Sequence, residues 1–256
     1  TALNKAVVLN NCEIVKRLLS IPGIDPNLYA CNRVTPFISA ISNFNLDMIN
    51  LILDFCGEKI ESQKWQLDES LKTLLRIISG EQESSHPYFP RVNSCVYYTH
   101  DYNPEIEKKK KKELILNVLK RLIQIKNIDL NCSSNKYTLL SYACETNEIE
   151  MVSMLIETNQ IDVNSYAPKS GKTPLMISIE NKNIEIAKLL IKLPKTNINI
   201  RNYNRKTALI IAVEKNLEEI VDLIINNEKF DPEESLLDTA FSISTGPISK
   251  KLFSLS

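Results

Sequence analysis

Residues 173–191 read TPLMISIENKNIEIAKLLI, and the first half of this stretch recurs along the chain. The recurring feature is a threonine that opens a short apolar phrase, as in Thr173-Pro174-Leu175. The other copies begin at Thr1, Thr35, Thr138 and Thr207. Successive copies are 34 or 35 residues apart, except across the interval between Thr35 and Thr138. A fixed period of this length is typical of proteins built from stacked structural repeats.

The second half of the stretch predicts a helix with one buried face. Ile186, Ala187, Leu190 and Ile191 occupy positions i, i+1, i+4 and i+5, which lie on the same side of a helix. The same quartet follows each of the other threonines: Ile14, Val15, Leu18, Leu19; Met48, Ile49, Ile52, Leu53; Met151, Val152, Leu155, Ile156; and Ile220, Val221, Ile224, Ile225. The threonine is a good N-cap for a first helix that lies between it and the quartet. Each unit is therefore predicted to be a helix-turn-helix.

Polar turn residues separate the predicted helices. Asparagine tolerates the left-handed conformation of a tight turn, and it is predicted to do so at Asn10-Asn11, Asn147, Asn183 and Asn216. After each second helix comes an Asp-x-Asn motif or its relic, which begins a hairpin loop. These motifs are Asp25-Pro26-Asn27, Asp129-Leu130-Asn131, Asp162-Val163-Asn164 and Asn197-Ile198-Asn199. We call the loop from each motif to the next threonine a finger.

The unit resembles an ankyrin repeat, whose opening pattern is T-P-L-H-x-A. Thr173-Pro174-Leu175 and Thr35-Pro36-Phe37 match that pattern most closely. The histidine of the family is replaced throughout, by Asn4, Ile38, Ser141, Met176 and Ile210. The resemblance implies an all-α solenoid of about seven stacked helix-turn-helix repeats with hairpin fingers. It also implies that the fingers and first helices form a concave groove that contacts partners.

The predicted organisation is one domain over residues 1–256. Its repeats are expected near 1–34, 35–68, 69–137, 138–172, 173–206 and 207–234, followed by a C-terminal cap at 235–256. The third repeat carries an insertion at 84–112, and its first helix has two possible registers, one on Thr73-Leu74-Leu75 and one on Leu71, Leu74 and Leu75. Because Thr1 opens directly on a repeat, the chain is expected to be a piece of a longer protein.

Composition argues against several functional classes. The 31 basic and 31 acidic residues balance, so no overall field favours nucleic acid or membrane binding. The six cysteines show no CxxC spacing, and His86, Cys95 and His100 match no zinc pattern. No catalytic motif is present, so no catalytic, cofactor or metal site is predicted. A reducing compartment is expected, the cytoplasm or alternatively the nucleus.

The fingers combine basic and aromatic residues, a composition that suits protein interfaces. Apart from the aspartate that starts each finger, the four fingers between Asp25 and Thr207 contain no acidic residue. Glu145, Glu180 and Glu214 are predicted to form a row that either pairs with finger cations or accepts basic groups of a partner. Ile177 and Ile211 are predicted to line an apolar trough, unless they are half-buried framework. The predicted partner-binding residues are Tyr29, Arg33, Lys136, Tyr137, Tyr142, Glu145, Tyr166, Lys172, Ile177, Glu180, Arg201, Tyr203, Arg205, Ile211 and Glu214.

The predicted function is a monomeric, non-enzymatic scaffold that binds another protein or peptide with acidic groups. Reversing the charges of Arg201 and Arg205 is expected to weaken that binding and its salt dependence. One alternative is binding of nucleic acid or a phosphate ligand through the fingers and the lysine run Lys108–Lys112. It is less favoured because the insertion leaves from the side opposite the fingers. A second alternative is a regulatory or targeting module of a larger enzyme.

Overall fold

The structure is a computed structural model that describes residues 1–28, 34–43, 45–61, 64–78, 104–125, 128–233 and 237–253, with the backbone alone at 56–61, 64–67, 77–78 and 104–112. In these residues the regular elements are fourteen helices, and no strand is present. The helices are α1 (Ala2–Val8), α2 (Cys12–Leu19), α3 (Pro36–Ser42), α4 (Leu46–Glu61), α5 (Lys64–Ile78), α6 (Pro104–Ile123), α7 (Leu139–Glu145), α8 (Ile149–Glu157), α9 (Pro174–Glu180), α10 (Ile184–Lys192), α11 (Ala208–Glu214), α12 (Glu218–Ile225), α13 (Leu237–Ile243) and α14 (Gly246–Phe253). The chain therefore has the predicted all-α repeat fold.

The recurring threonine starts the first helix of its repeat. In each of the five copies its hydroxyl accepts a hydrogen bond from the backbone amide three residues later. This bond satisfies one of the amides that a helix start leaves without a partner inside the helix. Pro36 and Pro174 stand at the first helical position, where a missing N–H removes no helical hydrogen bond. The predicted N-caps are confirmed.

The turn between the two helices of a repeat contains a left-handed residue. Asn10, Asn147 and Asn216 have φ values of 57°, 58° and 55°, as predicted. The prediction is wrong for Asn183, because the left-handed residue of that turn is Lys182, with φ 59°. Asn183 instead donates from Nδ2 to the carbonyl oxygen of Cys144 at 2.7 Å. The side-chain amide of Asn183 therefore links this turn to the preceding repeat.

Replacing Lys182 with glycine is expected to raise the free energy of unfolding by about 0.5–1 kcal/mol. A left-handed non-glycine residue costs roughly 1–2 kcal/mol, and glycine would remove this strain. The extra conformational entropy that glycine gives the unfolded chain offsets part of the stabilisation. The matched control is Lys215→Gly, because Lys215 is a lysine of the corresponding α11–α12 turn with φ −87°. Chemical denaturation should show stabilisation for the first variant and none for the second. Equal effects would contradict the assignment of the strained position.

The first compact unit is Thr1–Cys132. Within it, α3 packs against α1 and α5, and α4 packs against α2 and α6. Leu71, Leu74 and Leu75 of α5 are fully buried, whereas Thr73 lies in the interior of that helix and cannot cap it. The third repeat thus uses the register on the three leucines. Residues 104–112 of the predicted insertion are helical, because α6 begins at Pro104.

The second compact unit is Ser133–Ser256. Its first helices, α7, α9, α11 and α13, pack in one row, and its second helices, α8, α10, α12 and α14, pack in another. The predicted quartet of α10 is buried in full. Within the second row, Lys188 of α10 binds Glu219 of α12, and that hydrogen bond raises the pKa of the lysine. The single domain over 1–256 and its repeat boundaries stay a prediction.

The position of the missing histidine is filled in two ways. Asn4 donates from Nδ2 to the Val34 carbonyl at 2.9 Å and accepts from the Ser39 hydroxyl at 2.8 Å, so it links the first repeat to the second. Ser141 accepts from the amide of Thr138 at 2.8 Å. In the other repeats the position is apolar and buried: Ile38, Met176 and Ile210. Hydrogen bonds therefore replace the histidine in some repeats, and packing replaces it in the rest.

The asparagine that ends the finger motif connects one repeat to the next. Asn164 donates from Nδ2 to the Lys195 carbonyl at 2.8 Å and accepts from the amide of Asn197 at 2.8 Å. Asn199 donates to the Lys229 carbonyl at 2.7 Å, and its Oδ1 accepts from the following loop at 3.4 Å. We call Asn164 and Asn199 the asparagine ladder. These four hydrogen bonds go to backbone groups of the following loop.

Candidate interaction surface

The three fingers of the second unit are short hairpins that close just before a helix-starting threonine. The closing hydrogen bonds run from the amide of Ser134 to the carbonyl of Tyr137, from Ala167 to Lys172 and from Asn202 to Lys206, at 2.8, 2.8 and 2.9 Å. Each finger is therefore held at its base by the backbone. The side chains at the tips project from a fixed frame, which is the arrangement that favours recognition by loops.

Two of the predicted site residues, Tyr29 and Arg33, lie outside the described residues. The first finger of the second unit carries Lys136, whose ammonium lies 4.7 Å from the ring centroid of Tyr137. Tyr137 is only 8% exposed, and its ring meets Tyr142 edge-on at 6.0 Å. Burial raises the pKa of Tyr142, and Glu148 and Tyr137 add to that effect. This aromatic pair is thus mainly packing, and Lys136 is the part of it that a partner can reach.

The second and third fingers meet through an exposed pair of tyrosines. The rings of Tyr166 and Tyr203 lie 6.2 Å apart at 64°, and the residues are 55% and 62% exposed. The amide of Tyr203 donates to the carbonyl of Ser170 at 3.3 Å. Gly171 lies against the same ring, because a Cβ added there would be 2.5 Å from Cδ1 of Tyr203. The fold therefore holds these rings in place while leaving much of their surface open.

The predicted row of carboxylates is largely engaged within the protein. Glu180 pairs with Lys172, and Glu214 pairs with Lys206 at 2.5 Å. The carboxylate of Glu145 accepts from Nδ2 of Asn181 at 2.7 Å. The alternative of pairing with finger cations thus holds for Glu180 and Glu214, with the lysine that precedes the threonine of their own repeat. Such partly exposed pairs contribute at most about 1 kcal/mol, and they neutralise those two lysines locally.

The predicted apolar trough is not open at the surface. Ile177 of α9 and Ile211 of α11 are each 3% exposed. Both helices are short and buried on most sides, because α9 packs against α7, α10 and α11. Of the two readings of these isoleucines, core framework is the one that fits. They offer a partner almost no area.

The remaining cations of the second and third fingers are exposed. Lys169, Arg201 and Arg205 are exposed, and Arg201 donates from Nη2 to the carbonyl of Glu233 at 3.2 Å. Lys169 was not among the predicted site residues, although its place in the four-residue tip Pro168–Gly171 could have been inferred from the Pro-x-x-Gly sequence. Residues 163–172 and 198–206 contain no acidic side chain. The tips of these two fingers are therefore positively charged.

The described residues show no metal site, and two of their cysteines are buried. No group of three or more histidine, cysteine or acidic side chains among them is placed to hold a metal ion. Burial raises the pKa of the Cys132 thiol to about 12, with Asp129 adding to the effect, and burial also raises the pKa of Cys144. Both thiols are therefore neutral at physiological pH and poor nucleophiles. Within the described part of the chain, none of the helices has the length and apolar character needed to cross a membrane.

Comparisons with known proteins agree with this architecture. The model of a family described as ankyrin repeats in three copies matches residues 111–202 and 168–235. No curated protein gives a significant match. Among solved structures, the ankyrin repeat domain of Bcl-3, described as a member of the IkappaB protein family, is 20% identical with a TM-score of 0.57, covering 99% of this chain and 98% of that one.

Two further structures give the same result. The ankyrin repeat protein EF0377 is 18% identical with a TM-score of 0.59, covering 89% of this chain and 98% of its own. An ankyrin repeat domain from Acinetobacter baumannii AYE is 17% identical with a TM-score of 0.58, covering 88% and 96%. At these identities the likeness concerns the fold alone. Ankyrin repeats are generally protein–protein interaction modules, and their fold is typically a non-catalytic scaffold. Residues 111–235 of the chain thus match ankyrin repeats, and along nearly its whole length the chain has the fold of an ankyrin repeat domain.

Proposed function

We propose that the chain is a non-enzymatic scaffold whose second unit binds an acidic segment of a partner protein through its fingers. The observation that carries this proposal is the charge at the finger tips. Lys169 and Arg205 form no ion pair with another described residue, whereas Lys172 and Lys206 are neutralised by glutamates. A cationic surface on a rigid frame favours an anionic partner and speeds its association.

A protein partner is favoured over nucleic acid by the charge distribution. The chain carries as many acidic as basic residues, so the positive charge of the fingers is local rather than a continuous stripe. Binding to a nucleic acid backbone draws on several basic contacts along the strand. The lysine run Lys108–Lys112 belongs to α6 of the first unit, whereas these fingers belong to the second. We expect a monomer in the cytoplasm or nucleus, where thiols such as Cys132 and Cys144 stay reduced.

Reversing two tip charges is expected to weaken partner binding. We predict that Lys169→Glu/Arg205→Glu raises the Kd for the captured partner by about tenfold and reduces the dependence of binding on salt, because it places carboxylates against the partner's carboxylates. Lys169 and Arg205 are preferred to Arg201, whose guanidinium also bonds the Glu233 carbonyl. The immobilised full chain would capture partners from a cell extract, and the Kd of a purified partner would be measured at low and high salt.

The matched control reverses two exposed lysines away from the fingers, Lys192→Glu/Lys250→Glu. This variant has the same net charge as the finger variant, so a general charge effect would weaken both equally. An unchanged Kd for the finger variant contradicts the proposal. A random-sequence oligonucleotide serves as a second probe, and tight binding that the finger variant abolishes would favour nucleic acid instead.

A further inference from the structure

The Tyr166–Tyr203 pair is an exposed aromatic surface on two adjacent fingers. Exposed apolar side chains that are scattered singly over a protein surface need no special explanation. These two rings contact each other and are each more than half exposed. Tyrosine combines a large apolar area with few rotatable bonds, so a held tyrosine pair is suited to binding.

Backbone hydrogen bonds hold the two fingers that carry these rings. The Tyr166 finger is closed between Ala167 and Lys172, and the Tyr203 finger is closed between Asn202 and Lys206. The amide of Tyr203 bonds the carbonyl of Ser170, which joins the two fingers directly. A ligand that contacts the rings therefore loses little of its binding free energy to ordering them.

The charges beside the rings indicate which ligand would fit. The tip of the first of these fingers carries Lys169, and the tip of the second carries Arg205; both are exposed. Apart from Asp162, which starts the first of these fingers, neither finger contains an acidic residue. The cations would attract carboxylates, and the rings would pack against an apolar group between them. An aromatic side chain fits best, because two aromatic rings gain more from contact than their buried area alone provides.

We propose that Tyr166 and Tyr203 form an anchor site for an aromatic side chain that is flanked by acidic residues in the partner segment. This inference rests on the proposed function and deepens it. It moves the apolar anchor from Ile177 and Ile211, which are buried, to the finger tips. The anchor supplies specificity for the aromatic group, while Lys169 and Arg205 supply attraction for the acidic residues beside it.

The test is a selection of random peptides displayed on phage against the 256-residue chain, followed by fluorescence polarisation with the enriched peptide. We expect enriched sequences with an aromatic residue among acidic residues. Tyr166→Ala/Tyr203→Ala should raise the Kd of such a peptide by about tenfold. The matched control, Tyr166→Phe/Tyr203→Phe, keeps both rings and should bind as the wild type does.

A second arm leaves the protein unchanged and replaces the aromatic residue of the peptide with alanine. It should raise the Kd for wild-type protein by a similar factor and have no further effect on the double alanine variant. This arm keeps the inference testable if the alanine variant folds poorly. The inference is overturned if enriched peptides lack an aromatic residue, if none is enriched, or if the alanine variant binds as tightly as the phenylalanine variant.

The two proposals fail in different ways. If Lys169→Glu/Arg205→Glu abolishes peptide binding while Tyr166→Ala/Tyr203→Ala leaves it intact, the anchor is wrong and the acidic-partner scaffold stands. If neither variant changes the Kd of the enriched peptide, the fingers are not the binding surface and both proposals fall. If both variants weaken binding and the phenylalanine control does not, both are supported.

Discussion

Replacing Leu190 with alanine is expected to lower the free energy of unfolding by about 2–5 kcal/mol, the usual range for a buried leucine. Leu190 lies on α10, is 1% exposed and belongs to the quartet that the repeat pattern predicts. Because α10 packs against α8, α9 and α12, the truncation would leave a cavity between repeats. Urea unfolding followed by circular dichroism measures the loss as a shift of the transition midpoint.

The adjacent residue offers a matched control. Leu189 belongs to the same helix but is only half-buried, so Leu189→Ala makes the same chemical change one position away. It should cost about 1 kcal/mol or less, as for most substitutions near the surface. Equal losses for the two variants would mean that the buried face of α10 is not the one that carries the quartet.

Replacing Gly171 with alanine is expected to cost about 2–5 kcal/mol and to weaken partner binding. The residue has φ +65°, where a side chain costs roughly 1–2 kcal/mol. In addition, the new Cβ would overlap the Tyr203 ring, and overpacking of this kind typically costs 1–3 kcal/mol, about as much again. The ring must then move away from Tyr166, which would alter the proposed anchor. Unfolding in urea and the Kd of the enriched peptide report the two effects separately.

A double substitution separates the two causes. In a Tyr203→Ala background the overlap is absent, so Gly171→Ala should retain only the conformational part of its cost, about 1–2 kcal/mol. The same loss of stability in both backgrounds would show that the ring does not constrain Gly171. That result would also remove the reason for regarding the Tyr203 ring as held in place.

Most of the fold is predictable because the same sequence pattern recurs from one repeat to the next. A threonine before an apolar stripe predicts an N-cap, and all five such threonines accept the expected bond. The failures are matters of register. Lys182 occupies the left-handed position where asparagine stands in other repeats. The sequence predicts that position at Asn183 because asparagine tolerates the conformation better than lysine. In the third repeat Thr73 imitates a cap, but the buried faces of three leucines decide the register of α5.

The candidate site was less predictable because exposure depends on contacts between repeats. The basic and aromatic composition of the fingers is visible in the sequence. The burial of Ile177 and Ile211 depends on neighbouring helices, which a single repeat does not reveal. Likewise, the pairing of Glu180 with Lys172 and of Glu214 with Lys206 requires the finger to fold back beside its own helix. The contact between Tyr166 and Tyr203 joins residues of two different repeats.

The asparagine ladder bears on how such a chain can change in evolution. Asn164 and Asn199 each bind a carbonyl and an amide of the following loop, so neither requires a particular side chain there. A gene duplication or deletion that spans one whole repeat would recreate the same junction with a new neighbour. The interface thus tolerates exchange of entire modules, while the finger tips remain free to acquire different binding preferences.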